Sequence, residues 1–257
     1  MIGFLIKKNF FDLWDNLFKI ALINIGFIVS LAIPVFIPTL LASVPVLGIG
    51  SLLIGILWCF VYLSAASQSL KVLSDYGNFG FADFFKNLKT YWPVGLVLGA
   101  IVFLGVMLLT VVIPFYLNMK SIVGLLLGAV IFWTLVVALL ALQFFFAVRA
   151  RLDTKITKVI KKCFIIFFDN PTFCIFSLIH NAVMLVLSMF VAFLFPGPAG
   201  ILLFLDEGLR LRLLKYDWLE ANPETDRRKI PWDALLIDER ERTGTRSLKS
   251  FIFPWKD

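Results

Sequence analysis

Between Ile20 and Leu70 the chain contains no Asp, Glu, Lys, Arg or His. A water-soluble fold needs charge on its surface, so fifty-one such residues in a row exclude one. A bilayer crossing takes about 20 apolar residues, and this run has room for two. Three more stretches are bare or nearly so: Thr90 to Met119, Ser121 to Val148, and Asn170 to Leu205. The whole chain is 60% hydrophobic with a mean hydropathy of +0.94, against roughly 45–50% apolar residues in ordinary globular domains. The expectation is an all-α, polytopic membrane protein.

Other scarcities narrow the chemistry. A single histidine, His180, rules out a multi-histidine metal centre. The three cysteines, Cys59, Cys163 and Cys174, form no C-x-x-C pair, which argues against a zinc site or a disulfide framework. Cys163 follows Lys161 and Lys162, which would lower its thiol pKa; the plainer reading is a small residue on a helix face. No G-x-S-x-G, H-E-x-x-H or P-loop is present, so neither an enzyme nor a cofactor is expected. Asp12 and Asp15 interrupt the N-terminal stretch, so a cleaved signal peptide is not expected either.

The charge that is present is placed unevenly. The net charge is +7, but residues 216–257 hold 8 Lys/Arg and 9 Asp/Glu. The basic excess therefore lies in short loops between apolar runs. That is a topology signal and a contact with membrane lipids, not a nucleic-acid footprint. Six spans are expected, at about 19–41, 47–70, 93–116, 122–147, 172–195 and 198–217. Lys7, Lys8, Lys19, Lys71, Lys86 and Lys89 would fall on one side, with Arg149, Arg151 and four lysines of 155–162. The other side receives only Lys120. By the positive-inside bias both termini are expected in the cytoplasm.

Each pair of spans follows an amphipathic stretch, at about 4–18, 79–91 and 154–169. Phe10, Phe11, Trp14, Leu17 and Phe18 oppose Asp12, Asp15, Asn16 and Lys19; Phe81, Phe84, Phe85 and Leu88 oppose Asp83, Lys86 and Asn87. The third sets Val159, Cys163 and Phe167 against four lysines. Spacing of i, i+3, i+4, i+7 marks one face of a helix lying in the membrane interface. The order interfacial helix, span, span occurs three times, at an offset of 71 to 78 residues, and suggests three pseudo-repeats in a membrane domain of residues 1–217. Residues 218–257 are a polar tail ending in the aromatic-basic segment Arg246–Lys256, expected to dock on the interfacial helices or the leaflet.

Pro34 and Pro38 lie inside the first span and signal either a bent helix or a broken, re-entrant one. The sixth span is too short without Asp206-Glu207-Gly208-Leu209-Arg210. Counted from Pro198, Asp206 and Glu207 fall near the midplane, where ionisable residues mark functional sites. Asp206 and Arg210 are i, i+4 and can pair on one face. His180 and Asn181 come to a similar depth on the fifth span. A polar cluster of His180, Asn181, Asp206, Glu207 and Arg210 is the candidate site, for binding a polar solute or passing a proton. Its alternatives are a structural ion-pair network, or a short sixth helix whose charged half emerges into the cytoplasm. Asn24, Gln68 and Gln143 are the other polar residues within spans. Gly124 and Gly128 form a GxxxG pair that permits close helix contact.

This layout resembles the YesL-like family of bacterial membrane proteins over most of residues 5–218. The resemblance is carried by the Phe- and Asn-rich N-terminal helix, by Phe84-Phe85-Lys86-Asn87-Leu88-Lys89 before the third span, and by Asp169-Asn170-Pro171 before the fifth. It implies a bacterial inner membrane and a transport-associated role beside carbohydrate-uptake systems, with transporter subunits as partners. It supplies no catalytic residues. A lipid-binding or membrane-organising scaffold without transport activity is the other expectation, prompted by the three aromatic-basic helices.

Overall fold

In the computed structural model, which describes residues 1–224, 230–244 and 246, all regular structure is helical. Helix α2 (Leu17–Leu40) stays continuous through Pro34 and Pro38. The prolines therefore do not break it into a re-entrant segment. Pro34 has no N–H to give the carbonyl of Ser30 four residues earlier. The thiol of Cys59 on α3 (Pro45–Ser74) points at that carbonyl instead, at 3.7 Å. A Cβ on Gly55 would stand 2.8 Å from the nitrogen of Pro34, so glycine lets the two helices touch there. Tyr62 closes the same interface by donating to the Ile23 carbonyl at 2.8 Å.

Helix α4 (Phe81–Met107) runs antiparallel to α3. A Cβ on Gly95 would meet the Val61 backbone at 2.5 Å, which makes this contact closer still. A π-turn at Leu108–Val112 leads into α5 (Ile113–Asn118). The wide turn falls just before Pro114, where an ordinary helix would lose a hydrogen bond. The chain returns through α6 (Ile122–Leu142) and α7 (Phe145–Arg151). The GxxxG pair serves this hairpin: a Cβ on Gly124 would stand 2.3 Å from the Tyr116 carbonyl oxygen. Two amphipathic helices, α1 (Ile2–Asp15) and α8 (Ile156–Asp169), are separate elements. The stretch 79–91 is not: it forms the first turns of α4.

The remaining helices are α9 (Pro171–Phe190), α10 (Gly197–Ala221), α11 (Trp232–Leu235) and α12 (Ile237–Thr243). Five segments are long and apolar enough to cross a membrane: α2, α3, residues 81–118, residues 122–151, and α9. The chain is thus an all-α polytopic membrane protein. The expected sixth span, 198–217, is not among them; α10 carries too many charged residues.

Helix α10 is instead the buried centre of one end of the molecule. That end holds the C-terminus of α3, the N-termini of α2 and α4, and most of the lysines and arginines; we call it the basic end. Ala199, Leu203, Phe204, Leu205, Leu209 and Leu211 are all buried, in the two apolar clusters that make up the core. By contrast Leu40, Val46 and Ile122, at the far end, are 77–80% exposed. The far halves of the crossing helices form no protein core, as expected where lipid is the solvent.

Helices α9 and α10 form an antiparallel hairpin. Phe173 lies beside Gly208, His180 beside Phe204, and Met184 beside Gly200. The turn rests on Asn24 of α2. Its side-chain amide donates to the carbonyls of Leu194 (3.0 Å) and Pro196 (2.8 Å) and accepts from the Ala199 N–H (2.9 Å). Ser188 accepts from the Gly197 N–H at 2.9 Å. Irregular backbone within a bilayer must be satisfied by protein, and these two side chains do so. Asn24 lies sixteen residues before the end of α2 at Leu40, or about 24 Å. The turn therefore lies beside α2 about 24 Å short of its far end. The third pair consists of α9, which is long and apolar enough to cross, and the charged, buried α10 that returns against it in place of the expected sixth span. In a background lacking the three cysteines, Phe193→Cys should resist a membrane-impermeant maleimide added at the far side, while Ser121→Cys is modified. Equal labelling would show that the hairpin crosses.

Candidate functional site

Helix α3 ends in a left-handed residue that is normally glycine. Tyr76 has φ of 59°, its N–H bonds the Leu73 carbonyl and the Gly77 N–H bonds that of Val72, both at 2.8 Å. This is a Schellman closure. A tyrosine held there is strained, and the strain places a phenol ring beneath three cations. Lys8 Nζ lies 4.1 Å from the ring centroid, with the guanidinium groups of Arg210 and Arg242 at 5.1 and 5.4 Å. The carbonyl end of a helix attracts positive charge, and Lys8, Arg151 and Arg210 all converge on Ser74 and Asp75.

Arg151 holds Asp206 with two parallel hydrogen bonds, one of them Nε to Oδ1 at 2.9 Å. It also reaches Asp75 and the Ser74 hydroxyl, each at 2.9 Å. Arg210 binds the Ser74 carbonyl, Asp75 at 2.9 Å, and Glu239 of α12 at 2.6 Å. Tyr76 donates to the other oxygen of Glu239 at 2.7 Å. A second group lies one step around α10. Lys8 pairs with Asp12 and approaches Glu207 at 3.6 Å, and Asn9 donates to Glu207 at 3.0 Å. Lys8, Asp206 and Glu207 have no exposed surface.

The network ties α1, α3, α7, α10 and α12 together. Burial pushes the Glu207 carboxyl well above the ordinary value of 4.5, and Asp12 competes for the charge of Lys8. Burial also pushes Asp206 up, against the pull of Arg151. Lys8 stays charged: burial acts to lower it, but Glu207 and Asp12 outweigh that and raise it.

Only part of the expected cluster assembles. Asp206, Glu207 and Arg210 belong to the network, but at the basic end beside Ser74 and Asp75 rather than at the midplane. Asp206 and Arg210 do not pair with each other; Arg151 takes Asp206, and Asp75 bridges the two arginines. His180 stands apart, its ring stacked on Phe204 with centroids 3.8 Å apart, and its Nδ1 has no hydrogen-bond partner among the described residues. The Asn181 side-chain oxygen is likewise unpaired. Gln143 bridges α6 to α9 through the carbonyls of Leu140 and Cys174.

Sequence periodicity missed Lys8, Asn9, Asp12, Ser74, Asp75, Tyr76, Arg151 and Glu239. One signal was available: positions 8, 9 and 12 form a polar face on α1, which turns inward. Asp12 is buried, not on a wet face. Cys163 is buried too, and burial pushes its thiol up to about 12 rather than down. The tail does fold back, as far as it is described. Lys7 donates to the Gly244 carbonyl at 3.2 Å, and Arg246 grips Asp15 with two bonds of 2.9 Å. Residues 247–256 of the aromatic-basic segment lie outside the described residues.

The arrangement holds helices together. Among the described residues no cluster of three or more His, Cys, Asp or Glu could hold a metal ion. A surface cleft of about 550 Å³ lies between α1 and α12, lined by Phe4, Lys7, Arg240 and Glu241, and touches neither Asp206 nor Glu207. Comparisons with family models, curated proteins and solved structures find no match.

Proposed function

We propose that the chain is a non-catalytic accessory protein of a solute-uptake system in the bacterial cytoplasmic membrane, with its basic end and both termini in the cytoplasm. One observation carries the accessory role. The charged residues that a transporter would use to bind or move a solute are spent on each other, in a closed network that locks five helices. The positive-inside bias supports the orientation. The resemblance to YesL-like proteins supports carbohydrate uptake. Tail helix α12, docked through Glu239, leaves Asp238 and Glu241 exposed as a face for transporter subunits on the cytoplasmic side.

The test is purification of the tagged full chain from mild detergent, together with uptake by a deletion strain. Expected are co-purifying permease subunits and reduced carbohydrate uptake. A monomer without partners and unchanged uptake would overturn the proposal. A second reading, a lipid-binding scaffold, is favoured by a separate feature on α6 and α8.

A further inference from the structure

We propose that the groove between α6 and α8 binds one anionic phospholipid from the leaflet at the basic end. One acyl chain lies along α6, and the phosphate rests on Lys158 and Lys161. A lipid can bind there whether or not the chain serves uptake.

The groove has a volume of about 480 Å³ and runs from Leu126 to Val137 on α6, with Phe164 of α8 against it. Eleven residues of helix cover about 16 Å, a length suited to an acyl chain. Ala129 makes the groove deep, and Trp133 walls it. Thr134, its only hydroxyl, is spent on the Val130 carbonyl at 2.8 Å. The lining therefore offers a ligand almost wholly apolar surface.

The polar half of the site is on α8. Lys155, Lys158, Lys161 and Phe164 recur at every third residue, so they form one gently drifting row on the helix surface. The row ends at the residue that enters the groove. All three lysines are exposed, and none has an ion pair, hydrogen bond through its ammonium, or ring contact among the described residues. Lys162 differs: it turns back to the Leu152 carbonyl at 3.0 Å and Asp153 at 3.3 Å.

No counterion is left nearby on the helix. Residues 156–168 contain no acid, and Asp169 is taken by Lys215 and Tyr216, each at 2.9 Å. Exposed Ile165 and Phe168 hold α8 at the hydrocarbon boundary. Unpaired cations beside an apolar groove at that depth match a negatively charged headgroup with a hydrocarbon tail. A zwitterionic lipid would leave the lysines uncompensated, and a partner's apolar helix would satisfy the groove but not the charge.

The experiment is native mass spectrometry of the full chain in mild detergent, titrated with phosphatidylglycerol or with phosphatidylcholine of the same acyl chains. The wild type should retain one phosphatidylglycerol in preference to phosphatidylcholine. Lys158→Gln/Lys161→Gln should reduce that preference about ten-fold or more, each lysine near an anionic surface being worth about one factor of five. Lys86→Gln/Lys89→Gln, exposed on α4, should leave it unchanged. Ala129→Trp fills the groove and should release both lipids. The substituted side chains are exposed and make none of the contacts above, so folding is retained, and the single Lys161→Gln reads the same effect at smaller size. Equal losses in the α4 and α8 variants would show only general attraction and overturn the site. So would undiminished binding in Ala129→Trp, or a polypeptide rather than a lipid displaced by it.

Discussion

Arg151→Ala should lower folding stability by about 3–5 kcal/mol, the usual result of removing one member of a buried ion pair. The side chain is 9% exposed and binds three groups at once: both oxygens of Asp206, the Asp75 carboxylate and the Ser74 hydroxyl. Its loss strands a fully buried carboxylate on α10 beside the end of α3. Arg151→Lys should recover little, because an ammonium cannot supply two parallel bonds to Asp206 while also reaching Ser74. The double variant Arg151→Ala/Asp206→Ala should be more stable than Arg151→Ala alone, since the stranded charge leaves with its partner. Thermal unfolding in detergent, read by helical circular dichroism, orders the variants. An Arg151→Ala protein within about 1 kcal/mol of the wild type would mean that water reaches Asp206 and the network is not dry.

The crossing helices were legible because hydrocarbon acts on composition, and composition is local. The expected spans 19–41 and 47–70 became α2 and α3 with only a few residues of difference at each end. The site was less legible because its partners are distant in sequence. Asp206 was matched with Arg210 one turn away, since periodicity sees only neighbours on the same helix. Its actual partner, Arg151, is 55 residues back. The depth of Glu207 was misjudged for a related reason. Counting from Pro198 assumed that the turn before it reached the far surface. Nothing in an apolar run shows where a hairpin stops. Asn24 was visible as a lone amide in a span, but only the fold shows that it caps α10 from a point a third of the way along its own helix. The inward face of α1 was hidden in the same way: an amphipathic pattern gives two faces, and only packing decides which one meets water.

Glu207→Gln should be tolerated, and should flatten the pH dependence of stability, whereas Lys8→Ala should be among the most damaging substitutions in the chain. Glu207 sits on α10, outside the crossing helices, with no exposed surface. One cation, Lys8, faces two acids, Asp12 and Glu207. Asn9 donates to one oxygen of Glu207, and the other accepts no hydrogen bond among the described residues. A proton on Glu207 turns that oxygen into a donor toward Asp12 and leaves a clean Lys8–Asp12 pair. The folded state therefore holds the proton to a higher pH than the unfolded chain does. Below about pH 4.5 both states are protonated and the folded form has its full advantage. As the pH rises from there, the unfolded acid ionises first, and stability falls by up to about 1.4 kcal/mol per unit until the buried carboxyl also ionises. Lys8, whose folded value is raised, loses its contribution only in strong alkali, so it does not shape this range. A glutamine at 207 accepts from Asn9 and donates toward Asp12 at every pH; its unfolding midpoint should change less than that of the wild type between pH 5 and 7. Lys8→Ala leaves Asp12 and Glu207 buried without a cation, at a cost of about 3–5 kcal/mol at neutral pH. That loss should shrink as the pH falls, because Glu207 can then be neutral. Midpoints measured at several pH values for the three proteins decide the matter. A wild-type profile as flat as that of Glu207→Gln would mean that Glu207 is ionised in the fold and that Lys8 neutralises two carboxylates at once.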